Sequence, residues 1–188
     1  MILSILIPTL PERKRMLHRL IIKIKSQIFL CMMHEIEILT DDSPRPLSTG
    51  FKRNSLIEKA KGDYIVFIDD DDDISDDYIL SVIQGIKLKP DVITFNGTMT
   101  TNGIDETGFE IKLNNPYIDA SVNGKLFYLR FPNHLCPMKR DLVKDFKFPN
   151  VTMAEDYAWA KQIHDSKILK TEYFINKNMY HYQYSNKK

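Results

Sequence analysis

Five consecutive aspartates, Asp69 to Asp73, follow directly on the apolar stretch Tyr64 to Ile68. Carboxylates crowded beside a buried strand end are costly unless a cation compensates. Hard oxygen ligands of this kind suit Mg²⁺ or Mn²⁺, and such an ion in turn bridges the oxygens of a diphosphate. The bland alternative is a solvated acidic loop that charges a helix start. A calcium site is a further competitor, but the EF-hand spacing, with its central glycine and terminal glutamate, is missing. Two more acidic pairs stand out, Asp41-Asp42 and Glu155-Asp156. A carboxylate placed across from a metal-bound diphosphate can take the proton of an attacking hydroxyl. Glu155-Asp156 can equally be ordinary first-turn charge on a helix.

The elements that must position these groups are legible from periodicity. Ile2 to Ile7 is a near-continuous apolar run ended by Pro8, the pattern of a strand buried on both faces. Pro11 and Glu12 open a helix whose apolar face is Met16, Leu17, Leu20, Ile21, Ile24 and Ile28. Glu35 to Thr40 reads as a second strand. The polar loop Asp41 to Pro46 leads to a short helix from Thr49, for which Gly62 is the expected C-cap. Tyr64 to Ile68 is the third strand, Ser75 the expected N-cap of the next helix, and Asp91 to Asn96 the fourth strand. This alternation predicts an α/β fold with a mainly parallel sheet covered on both faces. In such sheets ligands bind beyond the carboxyl ends of the strands. Pro8-Thr9, Asp41-Asp42 and Asp69 to Asp73 each follow a strand and should meet on one rim.

Beyond Gly97 the texture becomes irregular or antiparallel. Asn102-Gly103 marks a hairpin. Helices are expected over about Asn123 to Leu129, Arg140 to Asp145 and Glu155 to His164, followed by a strand-like aromatic tail from Ile168 to Tyr184.

Composition removes other classes. The chain has 188 residues and a formal net charge of +1, which suits one domain and argues against a globally basic nucleic-acid binder. Neither a Gly-x-Gly-x-x-Gly nor a Gly-x-x-x-x-Gly-Lys phosphate loop occurs. Cys31 and Cys136 form no Cys-x-x-Cys pair and read as reduced thiols in a cytoplasmic protein. No apolar run is long enough to span a bilayer, and the N-terminus lacks the basic segment of a signal peptide. Richness in Lys, Ile and Asn hints at an AT-rich coding genome.

The residues also resemble the GT-A glycosyltransferases of family 2. Ile5-Leu6-Ile7-Pro8-Thr9-Leu10-Pro11 is similar to that family's opening strand and turn. Ile38-Leu39-Thr40-Asp41-Asp42-Ser43 resembles its Asp-Asp-Gly-Ser element, with Pro44 and Arg45 departing from it. Lys52-Arg53-Asn54 and Ala60-Lys61-Gly62-Asp63-Tyr64-Ile65 resemble its next segment, Asp69 to Asp72 its Asp-x-Asp-Asp signature, and Glu155-Asp156 its acceptor-side pair. The stretch Asn133 to Arg140, with Phe148-Pro149, is similar to a branch found in phage and large viruses, which implies a host-cytoplasmic enzyme in that case.

The resemblance implies a Rossmann-like α/β/α sandwich with residues 1–97 binding a nucleotide-sugar and 98–188 binding the acceptor. It implies an inverting, Mn²⁺- or Mg²⁺-dependent transfer from a nucleotide-sugar, by default a uridine diphosphate sugar, to an acceptor hydroxyl. Pro8, Thr9, Asp41, Asp42 and Arg53 would place the nucleotide. Asp69 and Asp70 would lie on the donor, with Asp71 and Asp72 on the metal and Asp156 as general base beside Glu155. His181 could be a further metal ligand, or part of an aromatic patch. His134 could contact a phosphate or the acceptor, or be structural, and Trp159 could stack on sugar or fill the core. Lys139 and Arg140 could steady phosphates or decorate a helix start. The acceptor could be a glycan, a protein or a modified DNA base, the last served by a patch of Lys139, Arg140 and Lys144. A nucleotidyltransferase and a non-catalytic cation- or nucleotide-binding module remain as alternatives.

Overall fold

The computed structural model describes residues 1–32 and 35–185. In chain order the elements are β1 (Leu3–Pro8), a 3₁₀ turn (Pro11–Arg13), α1 (Lys14–Leu30), β2 (Ile36–Asp41), α2 (Thr49–Lys59) and β3 (Tyr64–Phe67). There follow β4 (Asp73–Ile74), α3 (Tyr78–Lys87), β5 (Val92–Thr101), β6 (Ile104–Ile111), β7 (Ile118–Val122) and β8 (Lys125–Arg130). The chain continues with β9 (Met138–Lys139), α4 (Arg140–Val143), α5 (Glu155–Ser166) and β10 (Glu172–Tyr184).

β1 is buried at every position because it lies between β2 and β3, parallel to both, with helices over both faces. α1 and α3 pack together, and Gln27 of α1 ties them by donating to the Ser75 carbonyl and accepting from the Ile79 amide. α2 packs on β1, β2 and α5. The architecture is a GT-A-like α/β sandwich whose sheet is mixed. The strand order is β2-β1-β3-β9-β5-β6-β8-β7, and β9 enters antiparallel to both β3 and β5. β10 runs parallel to β5 along its length and pairs antiparallel with β4. β5 itself crosses the expected 97/98 division without a break.

Three local expectations are corrected. Residues 123–129 are not helical. Asn123 and Gly124, at φ 53° and 74°, form the tight turn between β7 and β8, the same Asn-Gly chemistry that turns β5 into β6 at Asn102-Gly103. Gly62 does not cap α2, which ends at Ala60. It is needed because a Cβ there would come within 2.5 Å of the Ser4 amide nitrogen in β1. Ser75 precedes α3 by too much to be its N-cap; that position is Asp77.

Trp159 belongs to the core: it is 1% exposed, stacks on Phe148 at 4.6 Å and donates its indole N–H to the Phe146 carbonyl. Lys139 binds Asp91, Arg140 the Gly62 carbonyl, and Lys144 Asp141, so each cation of that expected patch already has a protein partner. Cys31 and Cys136 are unpaired, and burial pushes the Cys136 thiol up to about 12.

Candidate active site

The five aspartates at the end of β3 do not act as a block. Asp69 accepts from the Arg53 guanidinium at 2.9 Å. Asp70 is buried and takes the Thr9 hydroxyl at 2.5 Å and Arg13 at 2.8 Å. Burial pushes its carboxyl up, and these two donors offset only part of the rise. Asp71 takes the same Arg13 at 3.0 Å. Asp72 turns inward, accepting the Tyr180 hydroxyl and the Gln183 amide, both at 2.7 Å. Its burial, with Asp69 nearby, holds the carboxyl well above the usual range. Asp73 reaches back to Lys23 on α1.

Asp69, Asp70 and Asp71 line a cleft of about 880 Å³. Pro8 and Thr9 from the end of β1, Arg13 from the 3₁₀ turn, Lys52 and Arg53 from α2, and Glu155 and Asp156 from α5 share it. Three different loops converge there because β1 and β3 run parallel and α5 begins over the same rim. The residue before α5, Ala154, sits at φ 60°, a costly conformation for a residue with a Cβ.

Arg53 joins the two acidic motifs. It is 3% exposed, bonds Asp69, and places Nε 3.4 Å from Glu155 Oε1. That second contact is an ion pair without hydrogen-bond alignment. The guanidinium also lies over the rings of Phe67, at 5.0 Å, and Phe148, at 5.6 Å. Burial lowers the acidity of Glu155, with Arg53 pulling the other way, and the net direction is up. His134 stands between the same motifs. Its Nε2 is 3.7 Å from Asp69 and its Nδ1 3.7 Å from Asp156, and neither nitrogen makes a hydrogen bond. Asp156 is the more open acid, with 39% of its side chain exposed.

Not every expected residue reaches the cleft. Asp41 is buried and accepts from the Ser43 amide; burial raises its carboxyl, but the Ser43 hydroxyl and amide together with Lys59 and Lys52 bring it below its usual range. Asp42 is exposed, and neither residue lines the cleft. Asp72 spends both oxygens on β10. His181 lies on β10 with Nδ1 at 2.7 Å from the Thr98 hydroxyl and Nε2 at 3.3 Å from that of Thr100, away from the aspartates of the cleft. The sequence reading missed Arg13, Lys52 and Tyr182. Arg13 had a signal: five carboxylates need a counter-cation, and Arg13 lies just past the first strand's turn. Lys52 is buried and donates to the Thr9 carbonyl at 2.5 Å, and burial lowers its ammonium despite the acids around it.

Among the described residues no group of three or more His, Cys, Asp or Glu side chains forms a ready-made metal cage. Mg²⁺-type ions do not require one, since they commonly take one or two carboxylates plus waters and phosphate oxygens. Asp69 and Asp71, with 22% and 19% of their side chains exposed at the cleft, fit such a donor set.

A half-parallel sheet that gathers carboxylates at its carboxyl rim, faced by an acidic helix start, defines a protein of the GT-A fold class. The chain belongs to glycosyl transferase family 2, whose sequence profile matches residues 49–146. The turn after β1 and the Glu155-Asp156 pair lie outside that stretch. The chain is 34% identical over 110 residues to a poly(ribitol-phosphate) beta-glucosyltransferase of Bacillus spizizenii (strain ATCC 23059 / NRRL B-14472 / W23), covering 57% of this chain and 17% of that protein. It superposes on S. aureus TarS 1-349 in complex with UDP-GlcNAc with a TM-score of 0.69 at 15% identity, covering 100% of this chain and 60% of that one. The UDP complex of the same fragment gives a TM-score of 0.66 at 15% identity, covering 97% of this chain and 60% of that one. The chain thus spans less than two thirds of the relatives it matches. Among the described residues no helix is long and apolar enough to cross a membrane.

Proposed function

We propose that the chain is an inverting, divalent-metal-dependent glycosyltransferase that moves a sugar from a uridine diphosphate sugar to an acceptor hydroxyl. The observation that carries this reading is one cleft holding Asp69 and Asp71 on one side and Asp156 on the other, with Arg53 buried between the motifs. The UDP and UDP-GlcNAc bound to the TarS fragment, and the glucosyltransferase name of the curated relative, support the donor class.

Asp71, with Asp69 beside it, would hold Mn²⁺ or Mg²⁺, which when bound supplies positive charge to a departing diphosphate. Arg13 adds cationic charge at the same wall, and burial of Arg53 keeps Asp69 fixed. Asp156 Oδ takes the proton of the acceptor hydroxyl as its oxygen attacks the anomeric carbon from the face opposite the diphosphate. One base and no protein nucleophile give inversion. In this reading residues 1–97 receive the donor and 98–188 the acceptor. The two unpaired thiols accord with action in the cytoplasm.

The test is a donor screen with Mn²⁺ and Mg²⁺ that reads released nucleotide for wild type, Asp71→Asn and Asp156→Asn. Asp156→Asn should lower acceptor-dependent turnover by about 10²–10⁴-fold. Asp71→Asn should abolish the metal response. Unchanged release in both variants defeats the assignment.

A further inference from the structure

A second pocket, of about 390 Å³, opens beside the donor cleft and shares Asp69, Asp156 and Tyr182 with it. The volume is that of a small-ligand site. Its far wall comes from the β6–β8 extension, which presents the rings of Tyr117, just before β7, and Tyr128 on β8. The pocket's charge balance is unusual for a site beside a phosphate-handling cleft. Asp69, Asp119 and Asp156 face it against a single guanidinium, Arg130. That cation is already taken: it donates to Asp119 at 2.8 Å and to the Ile118 and Leu129 carbonyls at 2.6 and 3.0 Å. It also lies over the Tyr117 and Tyr128 rings at 4.3 and 4.7 Å. His134, buried with both ring nitrogens unbonded, lines the same pocket next to Asp156.

Arg53 pairs Asp69 and Arg130 pairs Asp119, so a phosphorylated ligand would meet the open Asp156 carboxylate and no uncommitted cation, a costly juxtaposition. A polyol meets the reverse: carboxylates that accept hydroxyl protons, an imidazole that exchanges hydrogen bonds, and aromatic faces for its C–H groups. Extended nucleic acid would bring phosphates to the same acidic mouth. We infer that this second pocket is the acceptor subsite and that it takes an uncharged polyhydroxylated unit, a sugar or alditol residue, with one hydroxyl presented to Asp156. The inference rests on the glycosyltransferase reading and narrows its acceptor.

The experiment first measures nucleotide release from the uridine diphosphate sugars without acceptor. It then adds alditols and methyl glycosides, their phosphate monoesters, hydroxymethylated oligonucleotides, or a Ser/Thr peptide. Neutral polyols should stimulate release and appear glycosylated by mass spectrometry, whereas the monoesters should not. Tyr128→Ala should raise the acceptor KM about tenfold while Tyr128→Phe, which keeps the ring, should restore most of it. Asp119→Asn removes the carboxylate that neutralises Arg130, leaves its two carbonyl contacts in place, and should raise kcat/KM for the monoesters about tenfold. Basal release with stimulation only by oligonucleotide, peptide or phosphate ester overturns the inference and leaves the donor reading intact. So does basal release that no acceptor stimulates, or an Asp119→Asn variant that gains nothing. Absence of nucleotide release under every condition overturns both.

Discussion

Replacing Arg53 with methionine removes the charge that joins Asp69 to Glu155 while keeping most of the apolar stem volume. Breaking a buried pair by deleting one partner costs about 3–5 kcal/mol, because the surviving charge stays buried. Glu155 is 4% exposed and fits that case, whereas Asp69 has water access and can be resolvated. The guanidinium also leaves the faces of Phe67 and Phe148, a loss of about 1 kcal/mol. Glu155 limits the damage by taking up a proton, so we expect a net loss of about 3–4 kcal/mol at neutral pH. For a chain of this length that lowers Tm by about 10 °C. The pH dependence has a definite sign. Burial already lifts the Glu155 carboxyl in the folded protein, and removing Arg53 lifts it further. A carboxyl whose folded pKa exceeds its unfolded one costs nothing below the unfolded value and destabilises as pH rises through the interval. The deficit of Arg53→Met should therefore be smallest near pH 4 and grow toward neutrality, read by urea denaturation across pH. A loss below about 1 kcal/mol at pH 7, or a deficit that grows as pH falls, refutes the argument.

Gly62→Ala drives a Cβ against the backbone of Ser4, which cannot swing away as a side chain would; denaturation should show a loss of about 3 kcal/mol. Ala154→Gly relieves a left-handed residue at the start of α5 and should leave stability equal or up to about 1 kcal/mol higher by thermal unfolding. Native alkylation followed by mass spectrometry should modify Cys31 well ahead of Cys136, whose thiol is buried and held protonated up to about 12.

The first half of the fold was readable because each element carried a strong one-dimensional signal. β3 is apolar throughout and β1 is broken only by Ser4, α1 has a clean stripe, and polar clusters sit where strands end. The second half carried weaker signals, and residues 123–129 show why. Leu126, Phe127 and Leu129 satisfy a helical spacing, but Asn123-Gly124 closes a hairpin whose strands are held by cross-strand hydrogen bonds the sequence does not display. The β9 insertion was equally hidden, since two residues leave no periodicity. At the site, the meeting of the β1 and β3 ends followed from connectivity. α5 was placed there only by the family resemblance, and the Asp41-Asp42 end of β2, expected on the same rim, does not line the cleft. Which aspartates face the cleft did not follow from connectivity, because that depends on Tyr180 and Gln183, 108 and 111 positions away from Asp72. The same distance effect hid Arg13 and assigned His181 to its threonine neighbours.

Met1 and Ser185 lie in contrasting places. The carbonyl of Met1 receives the Asp63 amide at the amino edge of the parallel strands, while Ser185 contributes to the lip of the donor cleft. A purification tag or reporter joined ahead of Met1 therefore extends from the side remote from the chemistry. The same cargo attached at Ser185 would sit beside the gateway through which the nucleotide must come and go, so immobilisation and labelling belong on the opposite edge.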